Sequence, residues 1–150
     1  MDVPTELKSI NDTLKSLRST ASDWEIFHNH YAAFRKLAVD EIMSPNARLA
    51  GLIAKIENDD LCVRYLDRRI RISFAFERNP KKGVLRVDDM SEVGTFEEQR
   101  PLRIGAISFD YTGATTFEGG WMGRKMTLSE PADTLGIALN LVDLVFNHNR

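Results

Sequence analysis

Cys62 is the only cysteine in 150 residues, so the chain can form no intrachain disulfide and no cysteine-based metal cluster. It sits in the apolar segment LCVRYL, where a small polarizable side chain packs as a hydrophobe. Histidine is nearly as scarce. His28 and His30 are the close pair, and two residues apart on a helix they point in different directions. Neither Asp23 nor Glu25 turns them into an HExxH arrangement. His148, in the terminal NHNR, has no base, nucleophile or orienting partner at a recognisable spacing.

Long apolar runs are missing too. The most apolar stretch, Ile137–Phe146, is interrupted by Asn140 and Asp143 and falls short of the roughly 18 residues that cross a bilayer. The opening MDVPTELKSINDTLKSLRS has polar residues at every helical turn and no continuous apolar segment of the secretory kind. The expectation is a cytoplasmic protein with no membrane partner. Gly119, Gly120 and Gly123 in GGWMGRK lack the spacing of a phosphate loop, and no strand, glycine turn and helix unit surrounds them. The adjacent Asp88 and Asp89 do not fit a calcium loop and are expected to form a solvated acidic surface. No stored metal or cofactor is expected, and an enzyme is the less favoured class.

What is present suits one globular unit. With 43% hydrophobic and 28% charged residues the chain can bury a sizeable core, and the reading is a single α+β domain over 1–150 with a helical N-terminal region over 1–43. Leu7, Ile10, Leu14, Leu17, Ala21 and Trp24 follow alternating steps of three and four, which gathers them on one helix face and is also the spacing of a short coiled-coil seam. Ser22 and Glu25 can form a capping box, which predicts a second helix carrying Phe27, Tyr31, Phe34, Ala38 and Ile42. Ala47–Ile56 fits either a third helix, entered through Ser44 and Pro45, or a strand.

From there the period becomes two. Ile70, Ile72, Phe74 and Phe76 alternate with Arg71, Ser73 and Ala75, giving the clearest strand, and Leu61–Leu66 precedes it across a turn at Asp67 and Arg68. Val84–Val87 follows a reversal at Asn79–Gly83, and Leu102–Tyr111 follows a polar connection. Ala114–Glu118 and Lys125–Leu128 are shorter strand candidates. Connections this short predict an antiparallel sheet of about five strands. A last helix, capped by Ser129 and entered through Pro131, is polar only along Asp133, Gly136, Asn140, Asp143 and Asn147. So much apolar surface requires a place between the sheet and either the N-terminal helices or a second subunit.

The net charge is only -2, but residues 64–86 carry eight cations against two acids, whereas 87–101 carry five acids against one cation. Such asymmetry points to electrostatic steering or subunit pairing. The resulting expectation is a noncatalytic protein-binding adaptor or inhibitor, forming a homodimer and meeting an acidic protein partner. Its contact residues would be Arg68, Arg69, Arg78, Lys81 and Lys82 on a basic hairpin and Trp121, Met122 and Arg124 on an aromatic loop. The rival is a small-ligand-binding enzyme or sensor with a pocket between sheet and helices, inspected first at His28, Glu118, Trp121 and Arg124. Nucleic-acid binding by the hairpin is less favoured, because Phe74 and Phe76 alternate with the core residues and leave no stacking platform.

Overall fold

The computed structural model describes residues 3–44, 49–90, 102–115 and 126–148. It is an α+β fold: an N-terminal helix, a five-stranded antiparallel sheet and a C-terminal helix packed on the sheet. The helix α1 runs from Val3 to Ile42 without interruption, so the capping box at Ser22 opens no second helix. Thr13 and Thr20 donate their hydroxyls to the carbonyls of Ser9 and Ser16 four residues earlier, which accommodates these weak helix formers inside the helix. At about 1.5 Å per residue α1 is roughly 60 Å long, longer than the sheet it lies on.

The strands β1 (Leu52–Glu57), β2 (Asp60–Tyr65), β3 (Arg68–Arg78), β4 (Lys81–Asp89) and β5 (Leu102–Phe109) are neighbours in chain order, a pure meander. The segment open to helix or strand is a strand from Leu52, with Leu52 and Ala54 buried and Ile53 and Lys55 outward. Asn58 and Asp59 join β1 to β2 with φ of 52° and 66°, values that Asn and Asp tolerate better than most residues. The next turn falls at Leu66 and Asp67, one residue earlier than the sequence suggests, because Tyr65 pairs with Arg68. Ala114 and Thr115 bridge to Thr127 and Phe109, and the remainder of both short strand candidates lies outside the described residues.

One face of the sheet is covered by helices. Leu61, Val63, Ile70, Ile72, Leu85, Val87, Ile107 and Phe109 face inward with Phe27, Tyr31, Phe34, Ala38 and Ile42 of α1. Between these layers Phe27, Tyr31, Phe74, Phe76 and Phe109 form a connected group of rings with centroids 5.3–6.2 Å apart. The helix α2 (Pro131–His148) packs against α1 and touches β3 and β5, which explains its nearly continuous apolar circumference. It is tied down at its start: the Asp133 carboxylate accepts the Thr127 amide, and the Thr134 hydroxyl donates to the Leu128 carbonyl. No described helix is long and apolar enough to cross a membrane.

Candidate functional site

The five hairpin cations do not form one patch. Arg68 and Arg69 stand at the start of β3, while Arg78, Lys81 and Lys82 stand at the other end, roughly 30 Å away along an extended strand. Arg68 points to the helix side, where it pairs with Asp89 at 3.1 Å and lies over the Phe146 ring. Arg69 points to the opposite face and donates to the Met90 carbonyl. At the tip, Lys81 binds Asp23 of α1 at 2.9 Å, Arg78 donates to the Ser16 hydroxyl, and Lys82 pairs with Glu77. The β3–β4 hairpin thus braces the projecting helix. Trp121, Met122 and Arg124, together with Glu118, lie outside the described residues.

Asp88 and Asp89 correct the expectation of a solvated acidic surface. Both are buried, at 2% and 4% exposure, on opposite faces of β4. The Asp88 carboxylate receives Arg71 Nη2 at 3.3 Å from β3 and Arg103 Nε at 2.9 Å from β5. A bulge makes this possible, because the β4–β5 register shifts between Val87 and Asp88 so that Asp88 faces Arg103 and Ile104 is passed over. Burial by itself would raise the Asp88 pKa. Hydrogen bonds from Arg103 and Arg71, and their charges, outweigh it and hold the carboxyl below its ordinary value.

Beside this ion triad, on the face opposite the described helices, the sheet forms a recess of about 600 Å³. Two cross-strand rows line it. Register places Lys55, Cys62 and Arg71 in one row and Ile53, Arg64 and Arg69 in the next, with Met90, Glu57 and Asp60 at the margins. Lys55 and Glu57 pair at 3.5 Å. Burial, with Glu57 and Asp60 nearby, pushes the Cys62 thiol up, so its resting form is the unreactive thiol.

On the helix side, Tyr31 crosses from α1 to the sheet. Its hydroxyl donates to the Ile72 carbonyl at 2.6 Å, accepts the Leu61 amide at 3.2 Å and lies 3.5 Å from the Asp60 carboxylate. Burial drives the phenol pKa far upward, and burial likewise raises that of Asp60. The two histidines point apart as expected: His28 stacks on Trp24 at 4.4 Å, whereas His30 Nε2 lies 2.7 Å from the Tyr111 carbonyl. Among the described residues no three His, Cys, Asp or Glu side chains converge as a metal ion would require.

Among the described residues, α1 carries a long uncovered apolar stripe. Every described side chain from Glu6 to Ser19 is exposed, and Leu7, Ile10, Leu14 and Leu17 are 55%, 55%, 43% and 59% accessible. The stripe continues through Ala21 to Trp24, whose ring meets Phe74, and so runs directly into the face that the sheet covers. No family model, curated protein or solved structure matches the chain.

Proposed function

We propose that the protein is a noncatalytic protein-binding adaptor that pairs with a second copy of itself through the N-terminal half of α1. The bare stripe Leu7, Ile10, Leu14, Leu17, Ala21 and Trp24 carries this reading, since its three–four spacing is the a and d pattern of a two-stranded coiled coil. The same stripe is buried further down the helix by the domain's own sheet, which leaves only its upper part in need of cover. Side chains flanking the seam suit a parallel, in-register pair. The facing positions would be Glu6 with Asn11, Thr13 with Arg18 and Thr20 with Glu25, and none sets like charges together. Lys8, Asp12, Lys15 and Asp23 fall on outer positions.

Such a dimer holds two domains on one stalk, with the Cys62 face of each sheet turned away from the described helices. Support for an acidic protein partner is narrower, because Lys81 and Lys82 already hold acids of this chain and Arg78 braces α1. Sedimentation equilibrium on the wild type and on Leu14→Glu/Leu17→Glu tests the pairing. A wild-type dimer and a variant monomer with unchanged thermal unfolding of the domain support it. A wild-type monomer across the accessible concentration range overturns it.

A further inference from the structure

We propose that the unpaired edge of β3, from Phe74 to Arg78, takes up an extended peptide as an added strand. This names a partner class for the adaptor reading and rests on its protein-binding half alone, since the edge does not depend on the helix pairing. β3 is an inner strand of 11 residues, but β2 pairs only with Arg68–Ile72. The Arg69 carbonyl accepts the Met90 amide on the β4 side, and the Ile72 carbonyl accepts the Tyr31 hydroxyl on the β2 side. Odd-numbered residues of β3 therefore turn their amides and carbonyls to β4, and even-numbered ones turn theirs away from it. The β3–β4 register is regular as far as Arg78. Phe74, Phe76 and Arg78 thus present backbone donors and acceptors to the side that β2 has left, and these groups have no partner among the described residues.

Tyr31 marks the break. Its hydroxyl accepts the Leu61 amide and donates to the Ile72 carbonyl, so it stands where the next ladder bond between β2 and β3 would close. Beyond it the turn at Asn58 and Asp59 carries the chain back into β1, while the β3–β4 hairpin runs on to Arg78 and Lys81. An open edge of this kind is a template for another strand, and Phe74–Phe76 carries no proline, bulge or charge that would discourage one. The outer edge of β1 differs. There the Ala54 amide already donates to Met43 Sδ and the Leu52 amide to the Leu49 carbonyl.

The surroundings decide the chemistry of the occupant. Donors and acceptors that recur every second residue, roughly 7 Å apart, match an extended backbone. Trp24 is 44% exposed, meets Phe74 edge-on at 6.0 Å and stacks on His28. A strand laid beside Phe74 and Phe76 brings alternate side chains against that ring, and apolar ones gain most there. The two ends of the edge carry opposite charge. Asp59 and Asp60 stand at the end next to Ile72, and Arg78 stands at the hairpin tip, where it donates to the neutral Ser16 hydroxyl. None of these three has an ion-pair partner among the described residues. The fitting segment is apolar toward α1, basic at the Asp60 end and acidic at the Arg78 end.

Peptides selected on the wild-type protein from a phage-displayed library of random sequence supply the probe, and amide hydrogen exchange read by nuclear magnetic resonance locates it. In the free protein the Phe74 and Phe76 amides should exchange at least about tenfold faster than those of Ser73 and Ala75, which face β4. A selected peptide should slow them at least about tenfold. Methylating alternate peptide amides should abolish binding, and methylating the intervening ones should leave it intact. Binding should also persist in Leu14→Glu/Leu17→Glu. Slow exchange at Phe74 and Phe76 in the free protein overturns the proposal. So does a library that yields no binder, or a peptide that binds without protecting these two amides. Peptides that bind the wild type and not Leu14→Glu/Leu17→Glu mark the helix stripe instead and overturn it as well. A wild-type monomer in sedimentation removes the helix pairing alone, and protection of the β3 edge by a peptide then still supports this site.

Discussion

Arg71 and Asp88 face each other across β3 and β4 with Nη2 and Oδ2 3.3 Å apart, and Arg103 closes on the other oxygen of the same carboxylate at 2.9 Å. The carboxylate is almost fully buried while the arginines keep part of their surface in water. Asp88→Asn should therefore cost about 1–2 kcal/mol at neutral pH, below the usual figure for breaking a fully buried pair because the cations remain partly solvated. The sign follows from the lowered folded-state pKa. Stability from this group is present above the unfolded carboxyl pKa and is lost as pH falls through the lower folded value. Chemical denaturation from neutral to acidic pH should show the two proteins converging at the acid end.

Asp60 should behave in the opposite sense. Its pKa is raised, chiefly by burial, so its ionised form costs stability above the folded value and this cost disappears as the group protonates. Asp60→Asn should be neutral or mildly stabilising at neutral pH, and a clear loss there in denaturant titration would contradict the assignment.

Gly83 faces Phe109 across β4 and β5. A Cβ on Gly83 would fall 2.1 Å from the Phe109 Cζ, and that ring is itself 1% exposed among Phe27, Phe74 and His30. Gly83→Ala should cost about 1–3 kcal/mol through overpacking, and Phe109→Leu in the same chain should recover part of the loss. Thermal unfolding of the single and double variants measures both.

Tyr31→Phe removes the donor to the Ile72 carbonyl and the acceptor of the Leu61 amide, leaving two backbone groups to find other partners. A loss of about 1–3 kcal/mol is expected. Because burial drives this phenol far above its ordinary pKa, an alkaline absorbance titration should lose no phenolate signal below the unfolding pH in the variant.

Trp24 reports on His28 through their stacked rings. Burial first, and Arg35 second, lower the His28 pKa, so the ring is neutral at pH 7 and becomes a cation against the indole only below its ordinary pKa of about 6.5. In a Trp121→Phe background, Trp24 fluorescence should change with a midpoint under that value, and His28→Gln should abolish the transition.

The repeating patterns were legible because each lies within one element. Period two over Ile70–Phe76 marked β3, helical spacing over Phe27–Ile42 marked the buried face of α1, and the narrow polar stripe of α2 already required cover on both sides. Ser22 and Glu25 have capping-box spacing but lie inside the continuous α1, where they are an ordinary exposed Ser and Glu. Alternation places Cys62 and Arg64 on the same face as Arg69 and Arg71, opposite the buried Leu61 and Val63, a grouping that nearness in sequence hides.

Nearness in sequence is undone by strand direction, which carries Arg68 and Arg69 to the end of β3 away from Lys81 and Lys82. The sequence by itself determined the element types and the faces they bury, because side-chain period follows from backbone geometry alone. Only the tertiary structure decided which strands meet and in what register. That register, with a bulge at Ile104, puts Arg103 on Asp88 and sets Arg64 against Arg69, while Leu7, Ile10, Leu14 and Leu17 of α1 stay exposed. Such contacts depend on packing between elements, and no local period encodes them.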